Sequence, residues 1–307
     1  MELLREHESI SSVLLVGGTH GNELTGIHLV QHWKKQKIEN KFNHFRLDYL
    51  IANLSAIDAN KRYIDHDLNR CFKLLDLEDH SLKSNEQLRA KQINNKFGPK
   101  GNSKVDFIID LHTSTTNMQT NIVLTRIDAF HLQLAAYLKQ RLPNVVITSE
   151  SELMEDHHFL ESIAGKGVLI EVGPIPQGSV EYPCFETTEK TVLTCLEFIE
   201  MSKQHTIDDL PDELEIMSYH SKIYFPTDEI GNITASVHPD LVGKAYPQLV
   251  RGDRLFKSFD GGDVFYQGDD TYCAFINEAA YYDQKIAMCL CRSKKYSLSS
   301  CKVIDFK

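Results

Sequence analysis

Apolar runs recur along the chain at 13–16, 47–52, 107–111, 121–124, 145–147 and 168–172, each short enough for a buried strand. Between several of them apolar positions return at helical spacing, at 23–36, 85–96, 129–141 and 186–203. Strands alternating with helices predict an α/β fold, a mainly parallel sheet covered on both faces. An acidic, proline-containing stretch at 205–215 breaks this rhythm, and beyond it glycines punctuate short β-prone segments. The pattern divides the chain into a larger α/β domain, 1–205, and a smaller β-rich domain, 206–307.

Composition narrows the function. The chain has 307 residues, enough for a substantial core, with 42% hydrophobic and 25% charged residues and no low-complexity tract. A net charge of -10 argues against a nucleic-acid surface, which needs clustered Lys and Arg. The Lys34, Lys35, Lys37 cluster falls on a predicted helix and reads as its solvated face. Seven cysteines lie scattered without a CxxC pair, as expected of free thiols in a reducing compartment. The N-terminus carries Glu2, Arg5, Glu6, His7 and Glu8 with no apolar core of a signal peptide, and no run approaches a membrane span. These features read as a soluble, cytoplasmic protein.

The first apolar run breaks into Gly17-Gly18-Thr19-His20-Gly21-Asn22-Glu23, so His20 and Glu23 stand where a strand ends and a helix begins. In open α/β sheets ligands bind at that edge. Alone, His-x-x-Glu is common on helices as a surface or capping arrangement. Three further clusters join it: Arg62-Tyr63-Ile64-Asp65-His66-Asp67-Leu68-Asn69-Arg70, Asp110-Leu111-His112-Thr113-Ser114 and Glu171-Val172-Gly173-Pro174. His112 and Glu171 fall at or near predicted strand ends, so in a parallel sheet they share a rim with His20 and Glu23. Two His and one Glu form a ligand set for a catalytic zinc with a position open to water. A fourth carboxylate nearby would supply the base such a water needs. Asp110 shares a strand face with His112 and is placed either to hold that ring's tautomer or to cap a helix. Each residue also has a bland reading: His112 as a satisfied core histidine, Glu171 as the partner of a buried arginine.

The strings Gly-Gly-Thr-His-Gly-Asn-Glu, Asp-Leu-Asn-Arg, Asp-Leu-His-Thr, Ile-Glu-Val-Gly-Pro and Asn-Glu-Ala-Ala-Tyr-Tyr occur in that order. Together they resemble the aspartoacylase family, which includes aminoacylase-3 and, more distantly, succinylglutamate desuccinylase. The resemblance spans about residues 13–283. It implies a zinc-carboxypeptidase-like catalytic domain followed by a β-rich domain that partly covers the site. It implies one Zn2+ per subunit on His20, Glu23 and His112, with Glu171 as general base for a zinc-bound water and then as proton donor. It further implies that Arg62 polarises the scissile carbonyl, that Asn69 and Arg70 hold the α-carboxylate, and that Tyr281 reaches the substrate from the second domain. The implied activity is deacylation of N-acyl amino acids, most plausibly acetylated, with N-acetyl-aspartate the leading named substrate. A zinc carboxypeptidase and a non-catalytic binding protein are remoter alternatives. The expected partner is a small N-acyl amino acid rather than nucleic acid or membrane, and a homo-oligomer is left open.

One position departs from the family. Aspartate-specific members carry an arginine ten residues before the base, to grip the substrate's side-chain carboxylate; here it is Glu161, and His157 stands where a tyrosine is expected. Three readings follow. Glu161 points away while another cation, such as Lys166, serves the pocket; the enzyme takes neutral or aromatic side chains, as aminoacylase-3-like members do; or the side chain it reads is cationic. Elsewhere, His157 and His158 are adjacent and so poorly placed for a second metal. His66 reads as loop polarity, His238-Pro239 as a turn, and the acidic run Asp208, Asp209, Asp212, Glu213, Glu215 as a solvated linker.

Overall fold

The computed structural model describes residues 10–153, 156–207 and 209–306. The charged N-terminal residues from Glu2 to Glu8, and Asp208 of the acidic run, lie outside them.

Six strands build the first part of the chain: β1 Ser12–Gly17, β2 Arg46–Ile51, β3 Phe107–Thr113, β4 Gln119–Leu124, β5 Val145–Ser149 and β6 Lys166–Gly173. They alternate with α1 Leu24–Gln36, short α2 Leu54–Asp58 and α3 Leu74–Glu78, α4 Asn85–Phe97, α5 Ala129–Arg141 and α6 Tyr182–Gln204. Local chemistry sets several helix ends. Ser84 and Gln87 form a capping box at the start of α4, and Asp128 accepts from the His131 N–H at the start of α5. Helix α6 begins four residues before the apolar spacing suggests, because Pro183 is accommodated in its first turn.

Alternation along β1 shows how the sheet is covered. Val13 and Leu15 pack with Leu29, Val30 and Trp33 of α1 and with α5 and α6, whereas Leu14 and Val16 pack with Ala90, Ile93 and Phe97 of α4. A strand buried on both faces must be apolar throughout, hence the unbroken runs in the sequence.

The sheet continues into the second part through β7 Glu213–Tyr224, β9 Gln248–Leu249, β12 Thr271–Ala274, β13 Ile286–Ser297 and β14 Val303–Phe306. Its order is β2-β1-β3-β6-β4-β5-β7-β13-β12-β9, with β14 on β13. Strands β2, β1, β3 and β6 are mutually parallel, and β4 runs antiparallel to β6, so the sheet is mixed. The acidic stretch does not separate two sheets: β7 pairs with β5 through Thr148 with Met217 and Ser149 with Ser218, joining both parts. A second, three-stranded sheet, β11-β10-β8, is formed by β8 Ala235–Val237, β10 Arg254–Ser258 and β11 Asp263–Phe265. Among the described residues no helix is long and apolar enough to cross a membrane.

Candidate functional site

The parallel arrangement of β1, β3 and β6 gathers the predicted residues. After β1 the chain turns at Gly18, whose φ of +73° favours glycine, and Gly21 passes so close to Ala56 that a Cβ would lie 2.2 Å from its carbonyl carbon. This turn aims His20 and Glu23 inward. His112, near the end of β3, pairs in register with Glu171 within β6.

His20, Glu23 and His112 are 4%, 2% and 3% exposed, and their potential ligand atoms lie within 4.8 Å of one another. His20 Nδ1 is 2.6 Å from Glu23 Oε1, His112 Nδ1 is 3.0 Å from Glu23 Oε2, and the two Nδ1 atoms are 3.1 Å apart. The outer nitrogen of each ring meets a second carboxylate: His20 Nε2 lies 3.0 Å from Asp67 Oδ1, and His112 Nε2 lies 3.0 Å from Asp110 Oδ2. Carboxylates behind imidazoles fix the ring and raise its basicity toward a metal. Asp110 also accepts from the Thr19 hydroxyl at 2.7 Å, so of its two predicted placements it takes the one behind His112.

The charge balance favours a cation at the centre. Burial alone would raise Glu23 and Asp67, yet His20 with His112, and His20 with Arg62, hold these carboxyls below the usual range. Burial likewise opposes charge on His112, but Asp110 and Glu23 raise it well above an ordinary histidine. The site therefore stabilises positive charge, and its donors (two imidazoles and a carboxylate) fit a divalent ion of the zinc type.

Beside this centre, Arg62 donates to Glu23 Oε1 at 3.1 Å and to Asp67 Oδ2 at 3.0 Å, so both carboxylates orient it. Its loop is pinned by Glu86, fully buried, which accepts from the N–H groups of Ile64, Asp65 and His66 at 2.7, 3.0 and 3.1 Å. Burial pushes Glu171 up to about 8; His112 draws it down, Glu23 and Glu278 add to the rise, and Arg62 opposes them. Asn69 is 2% exposed, and its Oδ1 accepts from the Leu160 N–H at 2.8 Å. Arg70 is exposed, stacks 4.9 Å above the Phe159 ring and donates to the Asn69 carbonyl at 2.9 Å.

His20, Glu23, Arg62, Asn69, Arg70, His112, Phe159 and Glu171 line one cleft, together with Val123, Glu150, Leu169, Phe275 and Tyr281. Tyr281 arrives from the C-terminal part on a short turn, Ala279–Tyr281. Buried Glu278 clamps that turn by accepting from Ser114 Oγ at 2.6 Å, Thr115 N–H at 3.0 Å and Thr115 Oγ1 at 2.9 Å.

Glu161 is the exception. The expectation that it contacts substrate is not met: it is absent from the cleft wall, 1% exposed, and accepts from the Thr125 hydroxyl at 2.6 Å. Its carboxylate is held beside Thr125, just after β4, and burial raises it to about 7. Lys166, offered as a substitute cation, lines a different cavity with His157. His158 borders an outer chamber of the cleft, and the His66 N–H is bound to Glu86. Sequence reading missed the supporting carboxylates Asp67, Glu86 and Glu278. Asp67 stood inside a motif of interest, whereas Glu86 looked like an ordinary helix first-turn residue.

Known proteins resemble this chain over most of its length. The sequence profile described as succinylglutamate desuccinylase/aspartoacylase catalytic domain matches residues 9–199, and that of the AstE/AspA barrel-sandwich hybrid domain matches residues 212–293. The chain is 41% identical over 292 residues to a probable aspartoacylase of Trichodesmium erythraeum, covering 95% of this chain and 99% of that one. It is 38% identical over 286 residues to an N-acyl-aromatic-L-amino acid amidohydrolase (carboxylate-forming) of Xenopus laevis, covering 91% and 93%. The crystal structure of murine aminoacylase 3 superposes with a TM-score of 0.91 at 32% identity, covering 95% of this chain and 98% of that one. Both matched domains and the α/β architecture thus agree: the chain belongs to the succinylglutamate desuccinylase/aspartoacylase family of hydrolases.

Proposed function

We propose that this protein hydrolyses N-acyl amino acids to a carboxylate and a free amino acid, using zinc held by His20, Glu23 and His112, and that it prefers neutral or aromatic side chains. The observation carrying the chemistry is the buried triad whose outer imidazole nitrogens are each held by a carboxylate, beside Glu171 and Arg62. A bound zinc would supply Lewis acidity and make water acidic enough to lose a proton near neutral pH.

The chain's own groups do the rest. Glu171 accepts the proton of the attacking water and delivers it to the leaving amine nitrogen; burial raises its carboxyl above the usual range, which suits a group that must both take and return a proton. Arg62, held by Glu23 and Asp67, stabilises negative charge developing on the acyl oxygen without reorganising. Arg70 offers its remaining guanidinium donors to the substrate's α-carboxylate, with Asn69 setting the adjacent backbone. Tyr281 closes the cleft from the 206–307 domain, restricting it to small substrates. The free thiols of all seven cysteines suit a reducing cytoplasm.

Side-chain preference follows from what lines the far end of the cleft. Arg62 is engaged, Glu161 is turned away, and Val123, Phe159, Leu169 and Phe275 present apolar surface. The name of the Trichodesmium relative favours N-acetyl-aspartate as a second reading. A panel of N-acyl amino acids on zinc-loaded protein, read by released amine, decides between them. We expect kcat/KM for N-acetyl-phenylalanine or N-acetyl-tyrosine to exceed that for N-acetyl-aspartate. The opposite order establishes the aspartate reading, and dipeptides outrunning both would make the enzyme a carboxypeptidase.

A further inference from the structure

The cleft holds a carboxylate that the mechanism does not use. Glu150 follows the end of β5, with its backbone N–H fixed to the Leu124 carbonyl at 3.0 Å. Its side chain has no described hydrogen bond or ion pair, although it lines the catalytic cleft. It also lines an outer chamber of about 430 Å3 bordered by Leu153, His158, Tyr219 and Lys222. Arg70, Phe275 and Tyr281 share that double position, so these four residues mark the junction between the two spaces. Glu150 is half-buried, and Arg70 and Lys222 oppose the rise that burial gives its carboxyl; without a described hydrogen bond of its own, it is open to a donor that a ligand brings.

Resting on the deacylase reading above, we propose that Glu150 is the residue that reads the substrate's side chain, favouring aromatic side chains that carry a hydrogen-bond donor and rejecting acidic ones. With the α-carboxylate on Arg70, the side chain leaves the α-carbon at the junction, between Phe275, Tyr281 and Glu150. An aromatic ring packs on the two aromatic residues and presents a hydroxyl or ring N–H to the carboxylate. A side chain as short as aspartate's meets Glu150 first, because Lys222 borders the outer chamber but not the cleft. Like charges facing each other in a partly dry site make binding unfavourable. The carboxylate that faces the side chain is then Glu150, and not the Glu161 that the sequence singles out.

The experiment compares wild type with Glu150→Gln and Glu150→Leu on N-acetyl-tyrosine, N-acetyl-phenylalanine and N-acetyl-aspartate, recording kcat and KM. Calorimetric binding of the same compounds to metal-free protein serves as an activity-independent readout. Wild type is expected to prefer tyrosine over phenylalanine by about tenfold, as a site built to receive a donor does. Glu150→Leu should erase that preference through KM, bringing the tyrosine-to-phenylalanine ratio to about one. Glu150→Gln, similar in shape but uncharged, should retain part of the tyrosine preference while the relative kcat/KM and the binding of N-acetyl-aspartate rise about tenfold or more. An unaltered tyrosine-to-phenylalanine ratio in Glu150→Leu, or no gain for aspartate in Glu150→Gln, overturns the assignment of Glu150 alone. Failure of wild type to cleave any of the three would instead overturn the deacylase reading.

Discussion

The two ends of the cleft are built differently. At the donor end His20, Glu23, His112, Arg62 and Asp67 each touch at least two other polar side chains, all at 2.6–3.1 Å. At the other end Arg70 rests on a ring and a carbonyl, Glu150 has no described side-chain partner, and Val123, Leu169 and Phe275 add apolar surface. Groups that stabilise charge during a reaction gain from being fixed beforehand, since nothing need reorient at the transition state. Groups that choose a substrate gain from being left open, since the substrate then completes them. On the reading proposed above, chemistry and selectivity are separated along one cleft.

That contrast can be broken experimentally. The largest effect should come from removing the metal: chelation is expected to abolish turnover and added zinc to restore it, and activity surviving exhaustive chelation would mean that the donor end does not run the chemistry. Next, Glu171→Gln should lower kcat by about 10²–10⁴ with zinc content unchanged by elemental analysis. If zinc is lost with activity, Glu171 belongs to the ligand set instead. Weakening the layer behind the rings is a milder change. Asp110→Asn or Asp67→Asn should reduce zinc affinity by about 10–100-fold in competition with a chelator. Unchanged affinity would show that the tight contacts at this end are dispensable.

The smallest effect concerns Glu161, which belongs to neither end. Its carboxyl is raised from 4.5 to about 7 by burial, so between those values the folded protein keeps a proton that the unfolded chain has released. Stability should therefore fall as pH rises from about 4.5 to 7 and level off above. Glu161→Gln removes this penalty, and urea unfolding should find the variant more stable by on the order of 3 kcal/mol at pH 8 and equal to wild type at pH 4. Equal stability at pH 8 would mean that the ionised carboxylate is compensated within the fold.

Much of this was legible in the chain. The apolar runs predict all six strands of the first part; all but edge strand β2 are buried along most of their length, which leaves room for little else. His20, Glu23, His112 and Glu171 stand out because donors directly after or within such runs are costly unless they serve a site. The antiparallel β4 was not legible, since burial erases the alternation that would separate the two directions. Nor was the β5–β7 pairing that carries the sheet across the acidic stretch.

What the sequence determined by itself is the list of reactive groups and their order, because metal donors, bases and carboxylate-binding arginines are recognisable by residue type and motif. Whether Glu150 or Glu161 opens onto the cleft was decided only by the tertiary structure. Glu161 occupies the informative alignment position yet turns to Thr125, while Glu150, in no motif, opens onto the cleft. Side-chain direction depends on packing against elements distant in sequence, and local spacing carries no record of it.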